Sequence, residues 1–208
     1  MNLPNQETAA NQFNLIQELG DCHTSVGNYH QASRHYERAA ALGPDEPGPY
    51  LGLGVIALQN NQLEEAEIAF RVACRLDPRS SRAFAGLAMV AQRMGQIKEA
   101  FDGFLKSLER DTNNLTALLG LFQTSCQMGS FAEVIHYLKL YLRMHPDDTA
   151  VMFSLAALYM RDGNLAQAQT LLDQVVQLDP ENTDAANLLE EVEHTLNRQA
   201  SDMSLCRL

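Results

Sequence analysis

The side chains that could carry out chemistry are scattered along this chain rather than gathered into a catalytic pattern. Cys22 and His23 are neighbours, so they point to different sides of a helix and do not form the facing nucleophile–base pair that covalent catalysis needs. Acidic pairs such as Glu64 and Glu65 are typical of solvated helix faces. The remaining histidines form no ligand constellation; they are His30, His35, His136, His145 and His194. We therefore predict that the protein is not an enzyme.

The cysteines predict neither a metal site nor a disulfide framework. None of the four belongs to a CxxC pair, and Cys22, Cys74 and Cys126 fall inside predicted helices at unrelated phases of the sequence. We expect buried, reduced thiols, no cofactor and no metal, which suits the cytoplasm.

Charge and apolar runs limit the possible partners. A formal charge of -11 disfavours nucleic acid, whose ligands usually carry a basic stripe, and it disfavours anionic membrane surfaces. The start of the chain shows no secretory signal pattern. The longest nearly apolar run, from Val151 to Met160, falls far short of the ~20 residues that span a bilayer. We expect a cytoplasmic protein with a protein partner, no nucleic acid and no direct membrane insertion.

The elements that would position any site follow a period of 34 residues. Leucine recurs at this spacing at Leu19, Leu53, Leu87, Leu121, Leu155 and Leu189. Proline follows the same spacing, or twice that spacing, at Pro44, Pro78, Pro146 and Pro180. Glycine does so at Gly27, Gly95, Gly129 and Gly163, with Asn61 in the remaining place. A period of this length indicates a solenoid of stacked hairpins.

Each repeat is expected to contain two helices. The glycine ends the first helix in a left-handed conformation, and the proline stops the second. The second helices should begin at Tyr29, Leu63, Ile97, Phe131 and Leu165. The predicted repeats are 13–46, 47–80, 81–114, 115–148 and 149–182. A capping helix at 183–198 follows, marked by Glu190 and Glu193 where a further repeat would pack. Residues 1–12 are expected to be a flexible lead-in and 199–208 a mobile tail.

This pattern resembles the tetratricopeptide repeat (TPR), whose motif has set positions for large, small and aromatic residues. The second repeat matches it at all but one position, where Ala57 replaces an aromatic. Its matching residues are Tyr50, Leu53, Gly54, Ala66, Phe70, Ala73 and Pro78. The resemblance implies an all-α fold, a right-handed α-solenoid superhelix of helix–turn–helix repeats.

Repeat four departs most from the motif, because large residues replace small ones at Phe122, Val134 and Tyr141. We expect its hairpin to be splayed, or rotated against repeat three; simple sequence drift is the alternative.

The resemblance also implies that the first helices line a concave groove that binds peptides. The residues at the family's contact positions are Gln17, Asp21, Leu51, Gly52, Val55, Leu58, Arg82, Ala85, Gly86, Met89, Arg93, Leu119, Gly120, Gln123, Phe153, Ala157, Met160 and Arg161. The glycines among them either let a ligand backbone approach closely or relieve crowding between helices. Likewise, Leu51, Val55 and Leu58 either contact a ligand or pack between repeats.

The family's carboxylate clamp is not carried over, since only Arg82 of its residues survives. We therefore predict a non-catalytic scaffold or adaptor that binds a peptide or amphipathic helix, apolar with some acidic residues. The alternatives are a self-assembling module that forms a homo-oligomer, or an accessory subunit of a modification or secretion complex.

Overall fold

The computed structural model describes the backbone of residues 3–205 and the side chains of residues 10–199. Within this range every regular element is an α-helix, which confirms the predicted all-α fold class. The helices are α1 (Leu3–Ser25), α2 (Tyr29–Leu42), α3 (Pro47–Gln59), α4 (Leu63–Leu76), α5 (Ser81–Arg93), α6 (Ile97–Leu108), α7 (Leu115–Met128), α8 (Ala132–Met144), α9 (Thr149–Arg161), α10 (Leu165–Leu178) and α11 (Thr183–Leu205).

The chain divides into two compact units, one ending at Met128 and the other beginning at Gly129. The first unit holds α1 to α7, and the second holds α8 to α11. The division falls between the two helices of repeat four. The expectation of a splayed hairpin in that repeat stays a prediction.

The turn after each first helix has the backbone conformation that the sequence predicts. The four periodic glycines adopt positive φ, between 71° and 79°, and Asn61 has φ 60° in the place of the missing glycine. Such angles lie in the left-handed region, where a Cβ is costly for most residues and asparagine is among the few that tolerate it. The turns therefore explain the periodic glycines.

The starts and ends of the second helices also follow the sequence. Helices α2, α4, α6 and α10 begin at the predicted residues, and α8 begins one residue late because Phe131 is its N-cap. Four of these helices, α2, α4, α8 and α10, end two residues before the periodic proline. Repeat three has Thr112 in place of that proline, and its helix α6 ends earlier, at Leu108.

The two ends of the chain are more helical than the sequence predicts. Helix α1 begins at Leu3, inside the segment predicted to be a flexible lead-in, and α11 continues to Leu205, inside the predicted tail. Pro4 lies in the first turn of α1, where its missing N–H is not needed, and no glycine or proline follows before Gly20. None occurs in α11 either, so nothing there stops the helix. Residues 206–208 lie outside the described residues.

The first unit is held together by aromatic rings that lie against glycines. Counting each repeat from its first residue, Tyr36, Phe70 and Phe104 occupy position 24 of repeats one to three. All three rings are buried. Each ring fills the space where a Cβ would stand on the glycine at position 6 of the next repeat, pairing respectively with Gly52, Gly86 and Gly120.

Two of these rings also touch a glycine of their own repeat. A Cβ on Gly20 would lie 2.7 Å from the ring of Tyr36, and one on Gly54 would lie 2.7 Å from the ring of Phe70. Each of these two rings therefore lies between two first helices, α1 and α3 or α3 and α5.

The second unit uses smaller side chains at the same positions. Leu138 and Leu172 occupy position 24 and are buried. Position 6 of repeat five, which follows Leu138, is Ser154, and the equivalent position of helix α11, which follows Leu172, is Leu188. Neither is glycine. Glycine at position 6 thus accompanies an aromatic ring at position 24, and is absent where that residue is leucine.

This packing predicts the effect of Gly86→Ala on stability. Alanine normally stabilises a helix interior relative to glycine by about 1 kcal/mol. Here its Cβ would overlap the buried ring of Phe70, so we expect a net loss of about 1–3 kcal/mol in the free energy of unfolding. Urea denaturation measures this change. A stabilised variant would contradict the packing.

Candidate functional site

The first helices of the first unit form a face with two adjoining cavities of about 340 and 260 Å³. Leu51, Val55 and Arg82 line both cavities, which we together call the first-helix groove. The first cavity is completed by Gln17, Asp21, Thr24, Ser25, Tyr36, Gly48 and Gly52. The second is completed by Leu58, Gln59, Phe70, Ala85, Gly86, Met89, Asn114 and Thr116.

Ten of the eighteen predicted contact residues line this groove. They are Gln17, Asp21, Leu51, Gly52, Val55, Leu58, Arg82, Ala85, Gly86 and Met89. Gly48 and Thr116 are not among the predicted residues, although both occupy position 2 of their repeats, as Arg82 does. Asn114, the last residue of repeat three, precedes α7, and its Oδ1 accepts from the backbone N–H of Ala117 at 3.1 Å. Its type and place in the sequence therefore indicate a helix N-cap, not a ligand contact.

Four predicted residues of the first unit do not line these cavities. Nη1 of Arg93 donates to the carbonyl oxygen of Leu58 at 2.8 Å, so this arginine is engaged in structure. Oε1 of Gln123 accepts from Nε2 of Gln92 at 3.0 Å. Gly120 is buried against Phe104, and Leu119 is exposed.

The last four predicted residues lie on α9 of the second unit, so their membership of a ligand site stays a prediction; they are Phe153, Ala157, Met160 and Arg161.

The apolar strip of the groove serves both packing and surface. Leu58 is only 3% exposed and joins a buried cluster with Phe70. Leu51, Val55 and Met89 are half-buried and pack on that cluster while their outer sides line the cavities. The alternative that the strip packs between repeats therefore holds for Leu58.

The three glycines at position 6, of which Gly52 and Gly86 line the groove, are explained by packing. A ring from the preceding second helix fills the Cβ direction of each of Gly52, Gly86 and Gly120. This supports the interpretation that small residues relieve crowding between helices.

One end of the groove carries a hydrogen-bonded carboxylate. The phenol of Tyr36 donates to Oδ1 of Asp21 at 2.6 Å, and Oγ1 of Thr24 lies 3.3 Å from the same phenol oxygen. Burial of the phenol, followed by its hydrogen bond to Asp21, raises the pKa of Tyr36 to about 12. The phenol therefore stays protonated and holds the carboxylate in place.

Arg82 is the cation of the groove. Its side chain is exposed on the first turn of α5, where both cavities meet. No ion pair or hydrogen bond is recorded for it among the described side chains. An unpaired guanidinium can bind a carboxylate with two parallel hydrogen bonds.

The described residues offer no metal or membrane-spanning element. No group of three His, Cys, Asp or Glu side chains there is placed to hold a metal ion. None of the described helices has the length and apolarity needed to cross a bilayer. The expectation of buried thiols is wrong for Cys22, which is exposed at the end of α1, while Cys74 and Cys126 are half-buried. Cys206 lies outside the described residues.

The pKa of Tyr36 predicts how stability depends on pH. Because the folded state keeps this proton up to about pH 12 and an unfolded tyrosine loses it near pH 10, the stabilisation is complete below pH 10 and falls as pH rises from 10 to 12. We expect the free energy of unfolding to fall less steeply in this range for Tyr36→Phe than for the unchanged protein. Denaturation at a series of pH values measures this, and parallel curves would contradict it.

Comparison with known proteins supports the family resemblance. Two models described as tetratricopeptide repeat match residues 19–81 and 127–192, together more than half of the chain. Comparison with curated protein sequences gives no significant match.

Several solved structures share the fold. pilF of Pseudomonas aeruginosa has a TM-score of 0.75 at 18% identity over 95% of this chain and 90% of that one. Yeast Tom70 has a TM-score of 0.70 at 19% identity over 93% of this chain and 42% of that one. YrrB, a TPR protein with an unusual peptide-binding site, has a TM-score of 0.65 at 19% identity over 84% of this chain and 90% of that one.

At these identities the structural likeness concerns the fold, while the two repeat models concern the sequence itself. Tetratricopeptide repeats generally mediate interactions between proteins. The helix pairs, the turns with positive φ and both model matches lead to one conclusion: this chain belongs to the tetratricopeptide repeat family.

Proposed function

We propose that the protein is a non-catalytic scaffold that binds a peptide segment of another protein in the first-helix groove. The observation that carries this proposal is the continuous strip of half-buried Leu51, Val55 and Met89 beside the unpaired Arg82. Apolar side chains whose outer surfaces stay accessible provide anchoring area for a ligand. A free arginine beside them gives a ligand carboxylate a specific partner.

The charges of the groove also orient the ligand. Asp21 lies at one end of the groove, where its carboxylate is fixed by Tyr36. Arg82 lies further along the groove, where the two cavities meet. The ligand that fits is an extended or helical segment with apolar anchors and an acidic residue near Arg82. The same acidic residue placed at the Asp21 end would be repelled.

The apolar strip predicts a loss of binding for two substitutions. Leu51→Glu and Met89→Glu place a carboxylate on the anchoring surface, and we expect each to weaken ligand binding about tenfold or more. The measurement is quantitative affinity capture from native lysate, followed by titration of the captured partner. Leu42→Glu is the control for the added charge, because Leu42 is an exposed residue of the first unit that lines neither cavity.

Equal binding by Leu42→Glu and the unchanged protein, with loss in the two groove variants, would support the proposal. Full affinity in folded Leu51→Glu and Met89→Glu variants would exclude this groove as the ligand site.

Arg82 predicts a charge-dependent part of the binding. Arg82→Gln should weaken the same interaction several-fold at low salt and flatten its dependence on ionic strength, because a guanidinium–carboxylate pair is lost. Arg79→Gln, three residues earlier and outside the groove, is the control. Titration of the partner at low and high salt measures both variants. An equal effect of the two substitutions would mean that only the overall charge matters.

A further inference from the structure

A further cavity of the first unit lies away from the first-helix groove. It is a cleft between the second helices α2 and α4, with α3 at its base, and its volume is about 680 Å³. Its apolar lining includes Tyr29, Tyr50, Ile56, Ile68 and Val72. Ile68 is 65% exposed, so the cleft opens directly to solvent. We call it the α2–α4 cleft.

One aromatic residue of the repeat motif is missing from this cleft. Ala57 lines it at position 11, where the family motif has an aromatic side chain. In the second unit the equivalent cleft, between α8 and α10, does contain that ring, as Tyr159. Its volume is about 450 Å³. The α2–α4 cleft thus lacks this ring and is the larger of the two.

The two clefts also differ in charge. In the second unit Lys139 occupies position 25, and its ammonium lies 5.1 Å from the centre of the Tyr159 ring. The α2–α4 cleft has Glu37 at position 25, whose Oε1 accepts from Oγ of Ser33 at 3.0 Å, and it adds Glu65. No lysine or arginine of the described residues lines it. No ion pair is recorded for Glu65 among the described side chains. Both the ring and the cation are therefore absent here, and carboxylates face the space.

The cleft between α4 and α6 shows that a missing ring alone does not produce such a site. It also has alanine at position 11, Ala91, but its volume is about 270 Å³. At its position 25, Arg71 pairs with Glu67 at 2.6 Å, so this part of the rim is already neutralised. Of these three clefts, the α2–α4 cleft alone combines a large apolar space with an acidic rim that lacks a cation.

We propose that the α2–α4 cleft is a second docking site, which binds a partner-protein segment carrying a large aromatic side chain beside lysine or arginine. The ring takes the place that Tyr159 fills in the second unit. The cation lies near Glu37 and Glu65, as Lys139 lies over its own ring. The protein's net charge of -11 favours approach of such a basic segment. This site is independent of the first-helix groove.

The test uses a model helical peptide with one tryptophan and a lysine one turn away on each side. The protein contains no tryptophan, so the peptide alone reports its burial through its fluorescence. We expect a saturable blue shift of the emission on binding. A twin peptide with glutamate in place of lysine should bind about tenfold more weakly or worse. Absence of a shift with the lysine peptide, or equal affinity for both peptides, would overturn the proposal.

Two pairs of variants locate the binding. Ala57→Tyr restores the missing ring and should abolish the shift, whereas Ala91→Tyr makes the same change in the α4–α6 cleft and should leave it unchanged. Glu65→Gln should weaken binding several-fold, whereas Glu64→Gln removes a charge from the same helix turn outside the cleft and should not. If Ala57→Tyr fails to fold, the glutamate pair still decides. If the two variants of each pair that folds bind the lysine peptide equally, the proposal is overturned.

Two further measurements distinguish this cleft from the first-helix groove and from self-association. Leu51→Glu, in the groove, should bind the lysine peptide as the unchanged protein does; loss of binding would place the peptide in the groove instead. Light scattering without peptide should give the same molecular mass for the unchanged protein and for Ala57→Tyr. If the unchanged protein self-associates and Ala57→Tyr does not, a second copy of the chain occupies the cleft, against the proposal.

Discussion

The first unit depends on one constraint. An aromatic ring must come close to a helix, at a point where that helix carries no side chain. A buried ring gives each second helix a large apolar area, but that ring needs space on the first helix of the next repeat. Gly52, Gly86 and Gly120 provide it, at a cost in helix propensity of about 1 kcal/mol each. Burial of Tyr36, Phe70 and Phe104 offsets that cost, since burying a large side chain stabilises by about 1.5–3 kcal/mol.

The same contacts position the surfaces that bind. With rings beneath Gly52 and Gly86, helix α3 lies close to α1 on one side and to α5 on the other, and the outer residues of α3 and α5 form a continuous strip at Leu51, Val55 and Met89. Tyr36 serves both purposes, because its ring packs on glycine while its phenol holds Asp21 at the end of the groove. The α2–α4 cleft lies where the motif's other aromatic position holds alanine.

The sequence predicts the repeat structure well because its signals are local. A positive φ at Gly95, or the end of a helix before Pro78, depends only on the residue and its neighbours. The groove is predicted less completely because side-chain partners lie across repeats. The sequence places Arg93 in the groove, but only the structure shows that it donates to Leu58. Nor does the sequence show which cavity Ala57 lines.

A double-mutant cycle between Phe70 and Gly86, measured by urea denaturation, tests this packing most directly. If the ring and the glycine fit each other, Gly86→Ala should cost much less stability in a Phe70→Leu background, where a smaller side chain leaves space as in the second unit. The predicted coupling is about 1 kcal/mol or more. Additivity within about 0.5 kcal/mol would show that the two residues act independently, and would contradict the packing on which the binding surfaces depend.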